Sequence, residues 1–381
     1  MTNSNVAPAV QPAEDRIVTT DSFVAHVSTV HATMGQTVGL FVREKALAST
    51  LAAAATRKPH VVLMVHGGFG PSIVAYDLQY RDYSFMSVLA RAGFDVFTLS
   101  HTGYGPSPRP LMDDPCNVDR EFQPLLVPHI LIELSPPRYP YKLVSSRTEW
   151  DELETVIRHI RMLRGVERIS LIGWSTGAPR AGGFAALHPE QVDKLVLFGP
   201  APWFPNDNPP EQMPEPGAPT LLQTREFLLH RRWQDHVRCD GQLEDPDVCN
   251  QYWQAIMAVD EVGAGWGPNG EGIIRAPNRM NFGWRANLAR IQAPTLVLLG
   301  EFDNYAQRLE AWKGLRVEHR MFIKVACASH FVSFERGRHL LYRATQSWLA
   351  GGAVDGAQSG EFFGDVQGKL TPLFPVPMDE L

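Results

Sequence analysis

Residues 169–179 read Ile169-Ser170-Leu171-Ile172-Gly173-Trp174-Ser175-Thr176-Gly177-Ala178-Pro179. A short apolar run leads into Gly-x-Ser-x-Gly, and Ala181, Phe184 and Leu187 then recur at spacings of three. This pattern predicts a strand, a tight turn and a helix, with Ser175 at the turn. A serine held there is strained. Side chains two residues before or after it would strike the strand or the helix, and glycine stands at both positions. Pro179 falls in the first helical turn, where its missing N–H leaves no hydrogen bond unmade. An ordinary strand-to-helix turn with a buried serine is the plain alternative, and the surrounding sequence decides between them.

Residues 60–65 (HVVLMV), 95–99 (DVFTL), 169–172, 194–198, 295–299 and 320–325 are short and apolar, as strands buried on both faces are. Helices are expected at 84–92, 177–187, from about 306, and at 335–349. Trp150, Leu153, Val156, Ile157, Ile160 and Leu163 mark another with one apolar face, which Gly165 can end. Strand-like stretches at 22–30 and 36–43 precede this alternation. Strands alternating with helices imply an α/β fold with a doubly wound, mostly parallel sheet. Residues 106–144 and 201–289 break the rhythm and are far longer than connections need to be. The second contains five of the nine tryptophans (203, 233, 253, 266, 284), with helices expected near 221–236 and 246–259. These tryptophans either pack a small subdomain or line an apolar pocket; Trp203 and Trp233 are the leading candidates for a pocket wall.

The strand-flanked Gly-x-Ser-x-Gly resembles the nucleophile turn of the α/β-hydrolase family. His66-Gly67-Gly68-Phe69-Gly70, directly after residues 60–65, resembles that family's oxyanion loop. The resemblance covers residues 20–205 and 290–350. It implies Ser175 as nucleophile, with the Gly68 and Thr176 N–H groups as the oxyanion hole. The family often carries an acid before Gly-x-Gly-x-Ser; here Gly103-Tyr104-Gly105-Pro106-Ser107 survives, but His101 stands in the acid's place. His101 is expected to be structural.

The family's order is serine, acid, histidine. Asp303, in Leu299-Gly300-Glu301-Phe302-Asp303 past the strand at 295–299, matches the acid; Glu301 and Asp207 are competitors. His330, in Ala328-Ser329-His330-Phe331 past the strand at 320–325, matches the base. The resemblance thus implies a sheet of the α/β-hydrolase type with an inserted, mainly helical cap. The expected division is a loose tail over 1–20, a core over 21–200 and 290–350, a cap over 201–289 and a C-terminal tail over 351–381.

The 381 residues carry 35 Lys+Arg against 41 Asp+Glu, a net charge of −6. A mildly acidic chain without a basic block is a poor nucleic-acid or anionic-membrane binder. No apolar run reaches the roughly 18 residues of a membrane span. Residues 1–16 lack the charged and apolar regions of a secretory signal. The four cysteines (116, 239, 249, 327) lack zinc-site spacing, so a reducing cytoplasm is expected, with Cys239–Cys249 the only bridge considered. The expected activity is serine hydrolysis of an ester, lactone or amide of a fairly bulky apolar small molecule, without cofactor or metal. Alternatives are carbon–carbon bond hydrolysis or acyl transfer by the same triad, or a non-catalytic ligand-binding protein. The oligomeric state is left open.

Overall fold

The computed structural model describes residues 16–54, 56–202 and 207–373. Its centre is a ten-stranded sheet. In chain order the strands are β1 (Ile17–Val27), β2 (Thr37–Leu47), β3 (Val61–Val65), β4 (Asp95–Leu99), β5 (Ile169–Trp174), β6 (Val192–Phe198), β7 (Thr295–Gly300), β8 (Arg320–Val325), β9 (Gly360–Gly364) and β10 (Leu370–Pro372). In space they run β1-β2-β4-β3-β5-β6-β7-β8-β9-β10. β4 through β9 of that order are mutually parallel; the β1–β2 hairpin and β10 are antiparallel additions.

β3 shows why the apolar runs become central strands. Val61, Leu63 and Val65 pack on one face with Val156 and Phe184; Val62 and Met64 pack on the other with Leu89, Phe198 and Leu341. Successive side chains point to opposite faces, so a sheet covered on both sides needs apolar residues at every position. The covering helices include α1 (Phe85–Arg91), α2 (Ser146–Arg164), α3 (Gly177–Leu187) and, near the C-terminus, Arg338–Gly351. α2 starts with a reciprocal cap, Ser145 and Thr148 each bonding the other's backbone N–H, and stops at Gly165 with φ 62°. Its apolar stripe is buried as expected, except that Leu163 is exposed.

Several features differ from the sequence reading. Residues 17–20, expected in a loose tail, open β1 and pair with β2. Residues 351–381 are not simply a tail, because β9 and β10 extend the sheet beyond β8. Residues 221–223, expected in a helix, belong to a strand, Thr220–Gln223, paired with Ile274–Pro277 and followed by one wide helical turn over Phe227–Arg231. Cys239 pairs with Cys327, not with Cys249, which is free and buried. The pairing joins positions 88 residues apart in sequence, a proximity that only the tertiary fold creates.

The two irregular segments pack on each other. Val118, Leu126 and Leu131 of the first share a core with Leu222, Trp266 and Ile273 of the second. Arg275 forks onto Asp260 and reaches Asp113 at 2.7 Å, and Arg109 meets Asp260 at 3.0 Å. A second helix of this region, Val248–Met257, sets Tyr252 and Trp253 inward.

The Cys239–Cys327 pairing and the expected reducing cytoplasm pull in opposite directions, because glutathione keeps most cytosolic thiols reduced. Denatured, unreduced protein is expected to yield two maleimide-reactive thiols, Cys116 and Cys249, and four after reduction. Four before reduction would show the bridge absent.

Candidate active site

Ser175 sits between β5 and α3 with φ 56°, in the left-handed region that costs a non-glycine residue about 1–2 kcal/mol. The surroundings hold it there. Its N–H donates to the Phe198 carbonyl at 3.1 Å, and its own carbonyl accepts from Ala178 and Ala201, both at 3.0 Å. A Cβ on Gly173 would lie 2.5 Å from the Gly177 oxygen, and one on Gly177 would overlap the Val65 oxygen. The two glycines therefore permit the close approach of strand and helix that exposes the serine.

His330 follows β8. Its Nε2 lies 3.0 Å from Ser175 Oγ and its Nδ1 2.9 Å from Asp303 Oδ2. Asp303 follows β7, and its second oxygen meets Arg308 Nε at 2.7 Å. Arg308 also donates to the Gly199 and Pro200 carbonyls at 2.9 and 2.8 Å, tying the acid to the end of β6. The chain turns sharply beside both groups: Asn304, after Asp303, and Cys327, before His330, also have positive φ. The competing acids are engaged elsewhere. Glu301 accepts the Cys327 N–H at 3.1 Å, and Asp207 caps the helix Trp284–Leu288 through three backbone N–H groups.

The electrostatics suit a histidine that is neutral at rest. Burial lowers the His330 pKa to about 4, the nearby Arg308 and Arg232 push the same way, and Asp303 opposes them only in part. Burial alone would raise the Asp303 pKa, but the charges of His330 and Arg308 outweigh it and hold the carboxylate below its ordinary value. The Nδ1 contact with Asp303 fixes the tautomer: Nδ1–H donates to the carboxylate and Nε2 is free to accept the Ser175 hydroxyl.

Facing Ser175, a Cβ on Gly67 would lie 3.2 Å from the serine Cβ, and one on Gly68 would lie 3.1 Å from Thr176 Oγ1. The Gly68 and Thr176 N–H groups have no acceptor among the described residues. These are the two donors expected from the sequence. Among the described residues, no group of three or more His, Cys, Asp or Glu side chains is arranged to hold a metal ion.

Gly67 to Gly70, Trp174, Ser175, His330 and Phe331 line one narrow cavity, about 40 Å³, and Gln223, Leu228, Arg232 and Tyr252 close it from the irregular lobe. The described tryptophans among those offered as pocket wall do not line it. Trp233 is fully buried, stacks on Phe331 at 4.4 Å and donates to Glu335 at 3.1 Å, so it braces the His330 loop. Trp253, Trp266 and Trp284 are buried in packing, and Trp203 lies outside the described residues. His101 is likewise structural, buried with its Nδ1 2.8 Å from Glu152. The sequence reading missed Trp174, whose indole N–H donates to the His330 carbonyl at 3.1 Å, although it stands inside the Gly-x-Ser-x-Gly stretch. It also missed Arg232 and Tyr252. Among the described residues Arg232 forms no ion pair or side-chain hydrogen bond, and the Tyr252 hydroxyl has no partner.

Residues 60–337 match the family described as alpha/beta hydrolase fold. The chain belongs to the α/β-hydrolase family. It is an enzyme of that family, a membership that implies a small-molecule substrate. Among similar solved structures, a serine hydrolase involved in carbazole degradation has 19% identity and a TM-score of 0.51, covering 87% of this chain and 99% of its own. A thermophilic esterase from Thermogutta terrifontis has 16% identity and a TM-score of 0.51, covering 86% and 98%. A meta-cleavage product hydrolase from Pseudomonas fluorescens IP01 has 13% identity, with the same TM-score and coverage. At these identities the likeness is one of fold. No helix of the described residues is long and apolar enough to cross a membrane.

The acid limb of the kcat/KM profile is expected near pH 4 rather than near 6.5. Activity is lost as pH falls through the His330 pKa, because only the neutral imidazole can take the serine proton. An acid limb near 6.5 would contradict the burial account. Asp303→Asn is expected to lower kcat on the order of 10⁴-fold by stabilising the wrong tautomer, and Glu301→Gln to change it little. Exchanged phenotypes would move the acid to Glu301.

Proposed function

We propose that this α/β-hydrolase is a serine hydrolase that cleaves an ester, lactone or amide through an acyl-enzyme. One observation carries the reading: the His330 imidazole bridges Ser175 Oγ and Asp303 at 3.0 and 2.9 Å, in a buried site. Ser175 Oγ attacks the acyl carbon as His330 Nε2 takes its proton. The oxyanion that forms accepts from the Gly68 and Thr176 N–H groups, and Asp303 stabilises the imidazolium. His330 then protonates the leaving group. A water, deprotonated by the same imidazole, attacks the acyl carbon and frees Ser175.

Residues 201–289 act in this reading as a cap that selects substrate, because Gln223, Leu228, Arg232 and Tyr252 form the outer wall of the cavity. The cavity is narrow, so this outer wall decides which acyl groups reach Ser175. Leu228, Trp174 and Phe331 favour an apolar acyl chain. Arg232 forms no direct ion pair among the described residues and feels Asp303 and Arg308 only at a distance, so it favours a donor that also carries a carboxylate.

The test is labelling with a fluorophosphonate, followed by a screen of acyl donors with product analysis that separates hydrolysis, acyl transfer and carbon–carbon cleavage. Modification of Ser175, and its absence in Ser175→Ala, are expected; an unlabelled wild-type enzyme would overturn the reading. Arg232→Gln is expected to lower kcat/KM for a carboxylate-bearing ester by roughly ten-fold or more and to leave its neutral analogue nearly unchanged. Equal losses on both esters would remove Arg232 from substrate selection.

A further inference from the structure

Behind the His66–Gly70 loop, away from Ser175, lies a buried ionic cluster that the triad chemistry does not use. Arg180, one turn into α3, is 1% exposed. Its Nη1 donates to the carbonyls of His66 at 2.8 Å and Gly67 at 3.1 Å. Its Nη2 meets Glu149 on α2 at 2.6 Å, and Arg279 bonds the other Glu149 oxygen. The Tyr104 hydroxyl donates to the next carbonyl, that of Gly68, at 2.7 Å. The guanidinium lies 5.3 Å from the Tyr104 ring centroid, so the two side chains form one wall. His66 adds a contact of its own, Nδ1 at 2.8 Å from the Gly67 oxygen.

Three consecutive carbonyls, those of His66, Gly67 and Gly68, are therefore gripped from behind. In a trans peptide the C=O of one residue and the N–H of the next point in opposite directions. Gripping the Gly67 oxygen fixes the direction of the Gly68 N–H, and gripping the Gly68 oxygen fixes that of the Phe69 N–H. Both N–H groups lack an acceptor among the described residues, as they must if they are to receive a charge that exists only during the reaction. Glycine permits this loop to lie against Ser175, but its freedom also lets a peptide plane rotate, so something else must hold the plane.

We propose that Arg180 is a positioning residue that sets the oxyanion hole, holding the His66 and Gly67 carbonyls so that the Gly68 N–H faces the acyl oxygen on Ser175, with Tyr104 as its partner at the following peptide. This rests on the serine-hydrolase reading. Arg180 reaches the reacting atoms only through the backbone. Its forked guanidinium suits this role, since one arm holds two carbonyls while the other is anchored on Glu149. A lysine ammonium cannot reproduce that arrangement from one point. Glu149 keeps the buried cation paired, and Arg279 completes that pairing without touching the loop.

The experiment compares Arg180→Lys, Tyr104→Phe and Arg279→Lys with the wild type, each checked for unfolding temperature. The readouts are kcat and KM for an activated ester and the Ki of a trifluoromethyl ketone, which adds to Ser175 and presents an oxyanion without a leaving group. Arg180→Lys is expected to lower kcat about 10²-fold and raise Ki by a similar factor while KM moves little, as for loss of one oxyanion donor. Tyr104→Phe is expected to shift both in the same direction by roughly ten-fold. Arg279→Lys disturbs the same ion cluster and is expected to leave kcat and Ki near wild type. Folded Arg180→Lys with unchanged Ki would overturn the proposal, as would an Arg279→Lys loss equal to that of Arg180→Lys. If Arg180→Lys fails to fold, Tyr104→Phe decides: an unchanged Ki overturns the clamp. A wild-type enzyme that forms no ketone adduct on Ser175 overturns the serine-hydrolase reading, and the clamp with it. An adduct of wild-type affinity in the variants overturns the clamp alone.

Discussion

Ser175 must stand in a left-handed backbone conformation at the end of a buried strand, and much of the molecule answers to that requirement. The conformation costs about 1–2 kcal/mol and persists only where neighbours over-determine it. Here the Phe198 carbonyl, the Ala178 and Ala201 N–H groups and the start of α3 supply those neighbours. Two glycines remove the side chains that would otherwise block the approach of strand and helix. The strand order then puts the ends of β7 and β8, with Asp303 and His330, on the side of the sheet to which β5 delivers the serine. The strain at Ser175 and the convergence of three residues spread over 155 positions are consequences of one topology.

Burial around this turn makes the charges strong. Asp303, Arg308 and His330 are all nearly excluded from water, where an ion pair or a charged hydrogen bond is worth more than at the surface. Burial sets His330 to be neutral at rest, while Asp303 remains ionised, as the proposed mechanism requires. The balance is local, because Arg308 serves both the acid and the β6 end. On the far side of the loop Arg180, Arg279 and Glu149 form a separate buried set that meets backbone rather than His330 or Asp303.

Much of the core was legible because its signals are local. The runs at 60–65, 95–99, 169–172, 194–198, 295–299 and 320–325 announce themselves by length and apolarity, and each expected site residue follows such a run. Glu301 and Asp303 both lie in the turn after β7, so the acid was ranked only by its match to the family pattern. Contacts between distant segments left no such trace. Arg180 directly follows the stretch that singled out Ser175, yet its partners Glu149 and Gly67 lie 31 and 113 positions away. Cys327 finds Cys239, a pairing the sequence did not suggest, because the lobe folds back over the β8 end. Tryptophan content left packing and pocket wall both open, since such large side chains are as useful for fixing one lobe on another, and Trp233 does that against Phe331. Residues 220–223 become a strand because Ile274–Pro277 offers an edge.

The central claim is that Ser175 forms a covalent acyl intermediate. Rapid-quench mass spectrometry during turnover of a p-nitrophenyl ester tests it most directly, with nitrophenolate followed in parallel. The account expects a burst approaching one nitrophenolate per enzyme molecule and a matching acyl mass on the peptide containing Ser175. Turnover without that mass on the peptide, under conditions where deacylation is the slow step, would contradict it.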